Sequence, residues 1–238
     1  MSTLLAPPLP DKEKEILRQL RRRYPTEFNP LKLRGRELTI LQVRDLEPLL
    51  QGRDPFEDVS TFPFWVRLWE SALLLADLML SQPVPPGGRL LELGAGLGAP
   101  GLAAALAGYK VTLSDYEPQI LDFQRVSAAA NQLTGIDFRI IDWLKPPQLE
   151  QFDTIIGAEI LFRADFFQPL LAIFRNYLAP NGTIYLAHDA TRKSLGPFLE
   201  LASEHFTIGT MARKISGNDK EVTVLLNRLQ LKETPKVN

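Results

Sequence analysis

From residue 88 onward the chain alternates short apolar, β-branched runs with longer stretches whose apolar positions recur every three to four residues. The short runs RLLEL (89–93), KVTLS (110–114), FRII (138–141), FDTIIGAE (152–159) and GTIYLAH (182–188) read as strands. The segments near 99–107, 117–132, 165–178 and 192–204 read as helices. Strands joined by helical crossovers imply a parallel sheet covered on both faces, a doubly wound α/β fold. Two further strands follow, HFTIGTMA (205–212) and EVTVLLNRL (221–229). Only RKISGNDK separates them, too little for a helical crossover, so they are predicted to form an antiparallel hairpin.

Ahead of this pattern, DKEKEILRQLRRRY (11–24) sets Ile16, Leu17, Leu20 and Tyr24 at helical spacing, with acids early and bases late as the helix dipole favours. After Pro25 and Pro30, LKLRGRELTILQV predicts two short strands about Gly35, an edge hairpin. TFPFW then leads into a helix over about 65–80. The expected organisation is an N-terminal extension over 1–59, a main domain over 60–230 and a frayed tail over 231–238.

Composition narrows the function. The 238 residues, 45% hydrophobic, suit one main domain, and 27 basic against 28 acidic residues, a net charge of −1, give nothing to draw the chain to nucleic acid or a membrane surface. The run Arg21, Arg22, Arg23 reads as a solvated helix end, since no aromatic residues interleave it. With no cysteine there is no disulfide, thiolate metal site or cysteine nucleophile, and no metal is expected. The most apolar helix candidate is interrupted by Arg67, Glu70 and Asp77, and the first residues lack the pattern of a secretion signal, so a cytoplasmic protein is expected.

The chemistry gathers in RLLELGAGLGAPGLAAAL (89–106). Gly94, Gly96 and Gly98 leave room for a ligand against the backbone where a strand turns into a helix, and Pro100 suits the first helical turn. GLGAPG at 96–101 matches a dinucleotide-binding expression but starts too far past the strand for that register. Glu92 is a carboxylate inside an apolar strand, costly to bury without a partner. Asp115 ends the second strand and can accept two ribose hydroxyls, or cap the next helix. After the third strand, Asp142 can accept from an exocyclic amine, or solvate a loop, beside the flat ring of Trp143, alternatively a core lid. Three such groups at successive strand ends describe a site for an adenine nucleoside.

These segments, LLELGAGLGAPGL, LSDYEP, DW and FDTIIGAEILF, resemble the class I, seven-stranded S-adenosylmethionine-dependent methyltransferases over roughly residues 60–228. The resemblance implies a Rossmann-like sheet ending in an antiparallel hairpin. It also implies S-adenosylmethionine as cofactor, with Gly94, Gly96 and Gly98 around its aminoacyl end and Glu92 supporting the turn or the ammonium. Asp115 would hold the ribose, Asp142 and Trp143 would frame the adenine, and Tyr116 and Ala158 would complete the cofactor-binding set.

Two further segments resemble the protein lysine methyltransferases of this class. One is FPFWVRLWESALLLADLML, in which Trp65 and Trp69, four apart, are expected on one helical face with Leu68 and Ala72, covering the cofactor or packed on the sheet. The other is GAEILFRADFF. There the family carries an acid followed three residues later by an aromatic, most often Asp-x-x-Tyr, and this chain has Glu159 and Phe162. Phenylalanine lacks the hydroxyl, while the acid and the aromatic face can still orient an ammonium. Glu159 and Phe162 are therefore the expected catalytic pair, with His188 beside Asp189 as an alternative aid to proton removal and His205 a strand-edge residue. The expected acceptor is a protein lysine, or else a small-molecule amine. A small-molecule N- or O-methyltransferase and a non-catalytic binding module are the alternatives. A nicotinamide oxidoreductase is disfavoured by the glycine register and the terminal hairpin.

Overall fold

The structure, a computed structural model, describes residues 7–44, 64–216 and 221–232. The expected boundary near 60, residues 61–63, the 217–220 connection and the tail beyond 232 lie outside these residues.

Helix α1 (Asp11–Arg21) buries Leu17 and Leu20, with Asp11 and Glu13 in its first turn and Arg18 and Arg21 in its last. It ends three residues before Tyr24, whose ring leaves the helix for another partner described below. Strands β1 (Thr26–Leu33) and β2 (Arg36–Val43) pair antiparallel, with Leu33 opposite Arg36. Arg34 and Gly35 between them both take left-handed φ, 49° and 72°, the backbone that a two-residue hairpin turn requires.

This hairpin is a separate two-stranded sheet rather than an edge of the main one. The outer side of β2 is paired by helix side chains instead of another strand. Asn131 accepts from the Thr39 amide and donates to its carbonyl, each at 2.7 Å, and the Ser127 hydroxyl accepts from the Leu41 amide at 3.0 Å. Once side chains satisfy those backbone groups, no strand is needed alongside.

After a single 3-10 turn at Phe64–Val66, helix α2 spans Glu70–Ser81. The main body follows as β3 (Arg89–Glu92), α3 (Ala99–Ala107), β4 (Lys110–Asp115), α4 (Pro118–Ala130), β5 (Asp137–Ile140) and β6 (Phe152–Ala158). A 3-10 turn at Ala164–Phe166 precedes α5 (Phe167–Tyr177), β7 (Leu178–Asp189), α6 (Leu195–Ala202), β8 (Phe206–Ser216) and β9 (Glu221–Leu231). The seven strands lie in the order β5-β4-β3-β6-β7-β9-β8; β3 to β7 run parallel, and β9 is antiparallel to both of its neighbours.

Strand alternation divides the core into two layers. Leu90 faces the helices α2, α3 and α4, in a cluster that also takes in Leu17, Leu20, Leu38 and Ile40 from the N-terminal segment. Leu91 faces the opposite cluster with Phe174 and Phe198 of α5 and α6. Both leucines are fully buried, so β3 is apolar on both faces, as a central parallel strand demands. The chain leaves β3 toward β4 and β5 on one side, then returns to place β6 on the other. The gap between the ends of β3 and β6 is thus the point where strand order reverses, the usual ligand crevice of such sheets.

Candidate active site

The turn after β3 is built on three left-handed residues, Gly94, Gly96 and Gly98, at φ 58°, 52° and 77°. At Gly94 space is also restricted, because a Cβ would lie 3.0 Å from Ile160 and 3.3 Å from the Trp143 ring. Gly98 caps α3, whose first turn contains Pro100.

Glu92 is 1% exposed, and its Oε2 accepts from the Gly101 amide at 2.7 Å. Its carboxylate therefore lies under the N-terminal turn of α3, where free amides and the helix dipole favour an acceptor. Of the two roles expected for it, support of the turn matches this hydrogen bond. Burial raises its pKa well above the usual 4.5, opposed by the Gly101 bond and reinforced by the nearby Asp115. Glycine is required at 101, since a Cβ there would fall 2.2 Å from Leu113 and 2.6 Å from the Glu92 carboxylate.

Asp115, at the tip of β4, anchors one oxygen on the Gly96 amide at 2.8 Å and the other on the Tyr116 amide at 2.7 Å. Burial raises its pKa from 3.8 to about 6, the two amides holding it down and Glu117 pushing it up. Each oxygen keeps a further lone pair for a hydroxyl donor.

Gln124, fully buried on α4, completes this turn and was not legible as a site residue. Its Nε2 donates to the Gly96 carbonyl at 2.8 Å, while its Oε1 has no partner among the described residues. The signal was one polar position on a helix face otherwise set by Ile120, Leu121 and Ala128. Tyr24 likewise reaches the site from the N-terminal segment. Its ring meets Trp65 at 5.7 Å and Phe123 at 5.8 Å, edge to face, and its hydroxyl donates to Gln119.

The expected helical stripe of Trp65 and Trp69 does not form. Trp65 lies in the 3-10 turn, and Trp69 is the extended residue that precedes α2, at φ −78° and ψ 150°. The Trp69 indole donates to the Phe64 carbonyl at 3.0 Å, folding the segment back and sending the two rings apart. Trp65 packs on Phe123 at 5.1 Å, with its backbone 3.6 Å from where a Gly96 Cβ would stand, so it crosses over the glycine turn. Trp69 instead presents its ring to Arg67 at 4.5 Å and Arg192 at 6.0 Å.

Beyond β5, Asp142 accepts from the Leu144 amide at 2.9 Å and sets the bend that carries Trp143. The Trp143 ring meets Phe166 at 5.2 Å and Phe162 at 6.2 Å, and those two meet at 5.5 Å. Tyr116, Leu144 and Phe162 stay 66%, 61% and 52% exposed along the carboxyl rim of the sheet.

Ala158 ends β6, and Glu159 follows with a left-handed φ of 56°. The Glu159 carboxylate is engaged on both oxygens. Oε1 accepts from the Asp189 amide and Oε2 from Arg192 Nε, each at 2.7 Å. It lies in the wall of a cleft of about 550 Å³, with Arg67, Trp69, Glu70, Ser71, Asp189 and Arg192 among its lining. Arg192 was not singled out in the sequence, where it is one cation in an ordinary loop.

His188, considered from the sequence as an aid to proton removal, is not placed for that task. It is 1% exposed, its Nε2 accepts from the Leu161 amide at 3.3 Å, and burial together with Arg192 pushes its pKa down to about 3. With one ring nitrogen accepting a backbone hydrogen and the ring neutral, its task is to hold the segment after Glu159. Among the described residues no cluster of acids and histidines could hold a metal, and no helix is long and apolar enough to cross a membrane.

A glycine turn closed over by Trp65, a carboxylate with lone pairs to spare at the next strand tip, and exposed rings beyond it together fit S-adenosylmethionine. The family model described as lysine methyltransferase matches residues 64–205. The chain belongs to the lysine methyltransferase family. Methyl transfer with S-adenosylmethionine as cofactor, expected from the family resemblance, is the activity of this class.

Among similar proteins, EEF1A lysine methyltransferase 3 of Mus musculus is 33% identical, over 70% of this chain and 72% of its own. Protein N-lysine methyltransferase METTL21A of Xenopus tropicalis is 30% identical, over 70% and 77%. Proteins named for histidine and for histone-arginine methylation also match, at 28% and 32% identity. N-methyltransferase NodS of Bradyrhizobium japonicum WM9, solved with S-adenosylhomocysteine, shares the fold of this lysine methyltransferase family member. Its TM-score is 0.57 at 23% identity, over 79% of this chain and 97% of that one.

Proposed function

We propose that this family member methylates a lysine side chain of a protein substrate, and that the cleft beside Glu159 admits the acceptor. The observation that carries this reading is the cleft itself. Its lining brings together Trp69 and the carboxylate of Glu159, immediately past the end of β6, and its volume of about 550 Å³ accommodates an extended side chain.

In this reading the backbone turn at 94–98 receives the aminoacyl end of the cofactor, and Asp115 receives the ribose hydroxyls. Trp143 and Asp142 flank the adenine, with Tyr116 at the rim. Bound S-adenosylmethionine supplies a methyl group on a sulfonium, which a neutral nitrogen can take up as the S–C bond electrons return to sulfur. The chain must then orient that nitrogen, exclude water and leave its lone pair free. Phe162, expected to act with Glu159, is half-exposed against Trp143 and Phe166 on the adenine side and does not line the cleft that holds Glu159.

A second reading, a histidine acceptor, is favoured by one observation. The Glu159 charge is already compensated by Arg192, an environment suited to a neutral imidazole. Incubation of the protein with tritiated S-adenosylmethionine and a cell lysate, followed by hydrolysis of the labelled bands, decides between them. Methyl-lysine is expected; methylhistidine supports the second reading, and label confined to small metabolites rejects a protein substrate.

A further inference from the structure

The acid expected to attract the acceptor is not a bare charge. Both Glu159 oxygens are held, by the Asp189 amide and by the Arg192 guanidinium. The Glu159 side chain is 9% exposed and that of Arg192 32%, so the pair is shielded from full hydration. The remaining charges lining the cleft among the described residues come from the start of α2 and from the end of β7 and the loop after it. Arg67 is paired to Glu70 at the start of α2, Asp189 at the end of β7 accepts from Thr191, and Lys193 stands at the rim. Among the described residues, strand β9 contributes Val222 and Val224, neither of them charged. Among the described residues, three cations thus face three carboxylates, and the one acid nearest the end of β6 is neutralised by a cation from the loop after β7.

We propose that Arg192 is a positioning residue that holds Glu159 in an ion pair so that the cleft favours the acceptor nitrogen in its neutral, nucleophilic form. The inference rests on the reading of this cleft as the acceptor site. A bare carboxylate beside an amine stabilises the ammonium, which has no lone pair to give; a carboxylate already matched by a guanidinium does not. With Arg192 in place the proton is released to solvent as the amine enters. Without it, Glu159 retains the ammonium and the cleft binds more but reacts less.

The test uses the full chain saturated with S-adenosylhomocysteine and two probes, n-butylamine and the permanently cationic n-butyltrimethylammonium, titrated by ligand-observed NMR between pH 7 and 10. The wild-type protein should bind n-butylamine about tenfold more tightly per pH unit until the free amine is itself neutral. It should bind the fixed cation weakly. Arg192→Gln should bind the fixed cation about tenfold more tightly and lose the rise of n-butylamine affinity with pH, an effect of the size expected for one uncompensated charge at this range. Glu159→Gln combined with Arg192→Gln should abolish that gain, and Arg192→Lys, which keeps the charge, should retain the wild-type pattern. Equal binding of the fixed cation by wild type and Arg192→Gln, or pH-independent binding of n-butylamine by wild type, would overturn the proposal. Failure of the lysine reading is seen separately, in the methylated amino acid released from labelled lysate.

Discussion

Replacing Asp115 by asparagine keeps the shape of the side chain and changes only what its two outer atoms can accept. In the wild-type protein both oxygens are already hydrogen-bonded to backbone amides, Gly96 at 2.8 Å and Tyr116 at 2.7 Å. An asparagine must turn its NH₂ toward one of these donors, so it loses one internal bond as well as one acceptor for the ribose. Hydrogen bonds to a charged group contribute about 1.5–3 kcal/mol each and a neutral replacement about 1 kcal/mol. A net loss of about 2–4 kcal/mol weakens S-adenosylhomocysteine about 30- to 1000-fold.

The effect on the free protein has the opposite sign. Burial raises the Asp115 pKa from 3.8 to about 6, which corresponds to about 3 kcal/mol held against the ionised form. The folded state therefore binds more protons than the unfolded state between those values. The group's contribution to stability is fully present below 3.8 and is lost as pH rises through about 6. Asparagine removes that loss, so above pH 7 the ligand-free variant should melt no lower than the wild type, while binding far less tightly. Wild-type affinity should be level above pH 6 and fall up to tenfold per unit below it, as the carboxylate takes up the proton; the variant should show no such limb. Titration calorimetry from pH 5 to 8 with a thermal melt at each pH measures both. Affinity within threefold of the wild type, with the same pH dependence, would refute Asp115 as the ribose acceptor.

Two further expectations concern groups beneath the turn. Glu92→Gln keeps an acceptor for the Gly101 amide and removes an ionisable group whose pKa burial has raised, so its stability in urea should be flatter between pH 5 and 8 and no lower at pH 8, whereas Glu92→Ala should cost about 1–3 kcal/mol for the unpaired amide. A large loss in Glu92→Gln would mean that the ionised form is the one the fold uses. Gln124→Ala releases the Gly96 carbonyl and should weaken S-adenosylhomocysteine about tenfold, the equivalent of one hydrogen bond, with kcat nearly unchanged; calorimetry showing unaltered affinity would remove it from the site.

The strands and crossovers were legible because central parallel strands are apolar on both faces and leave short, unmistakable runs. Helix α3 occupies 99–107 as the pattern predicts, and the strand beginning at Arg89 ends one residue sooner than expected. Where periodicity alone had to speak, it misled. Trp65 and Trp69 have helical spacing, yet helix α2 starts only at Glu70, because the Trp69 indole bonds back to Phe64 and each ring finds a different partner. The hairpin about Gly35 was predicted correctly, but its separation from the main sheet depends on Asn131 and Ser127, nearly a hundred residues away in the chain.

The sequence by itself determined the order of elements, the glycine turn and the carboxylates at successive strand ends, since each follows from local chemistry: backbone freedom, apolar runs and the residue types that finish them. Only the tertiary structure decided which of those groups are free to act. Glu92 is directed under a helix, His188 is buried and neutral, and Glu159 is matched by an arginine 33 residues later. Burial and charge pairing are properties of neighbours brought together across the chain, and no local pattern encodes them.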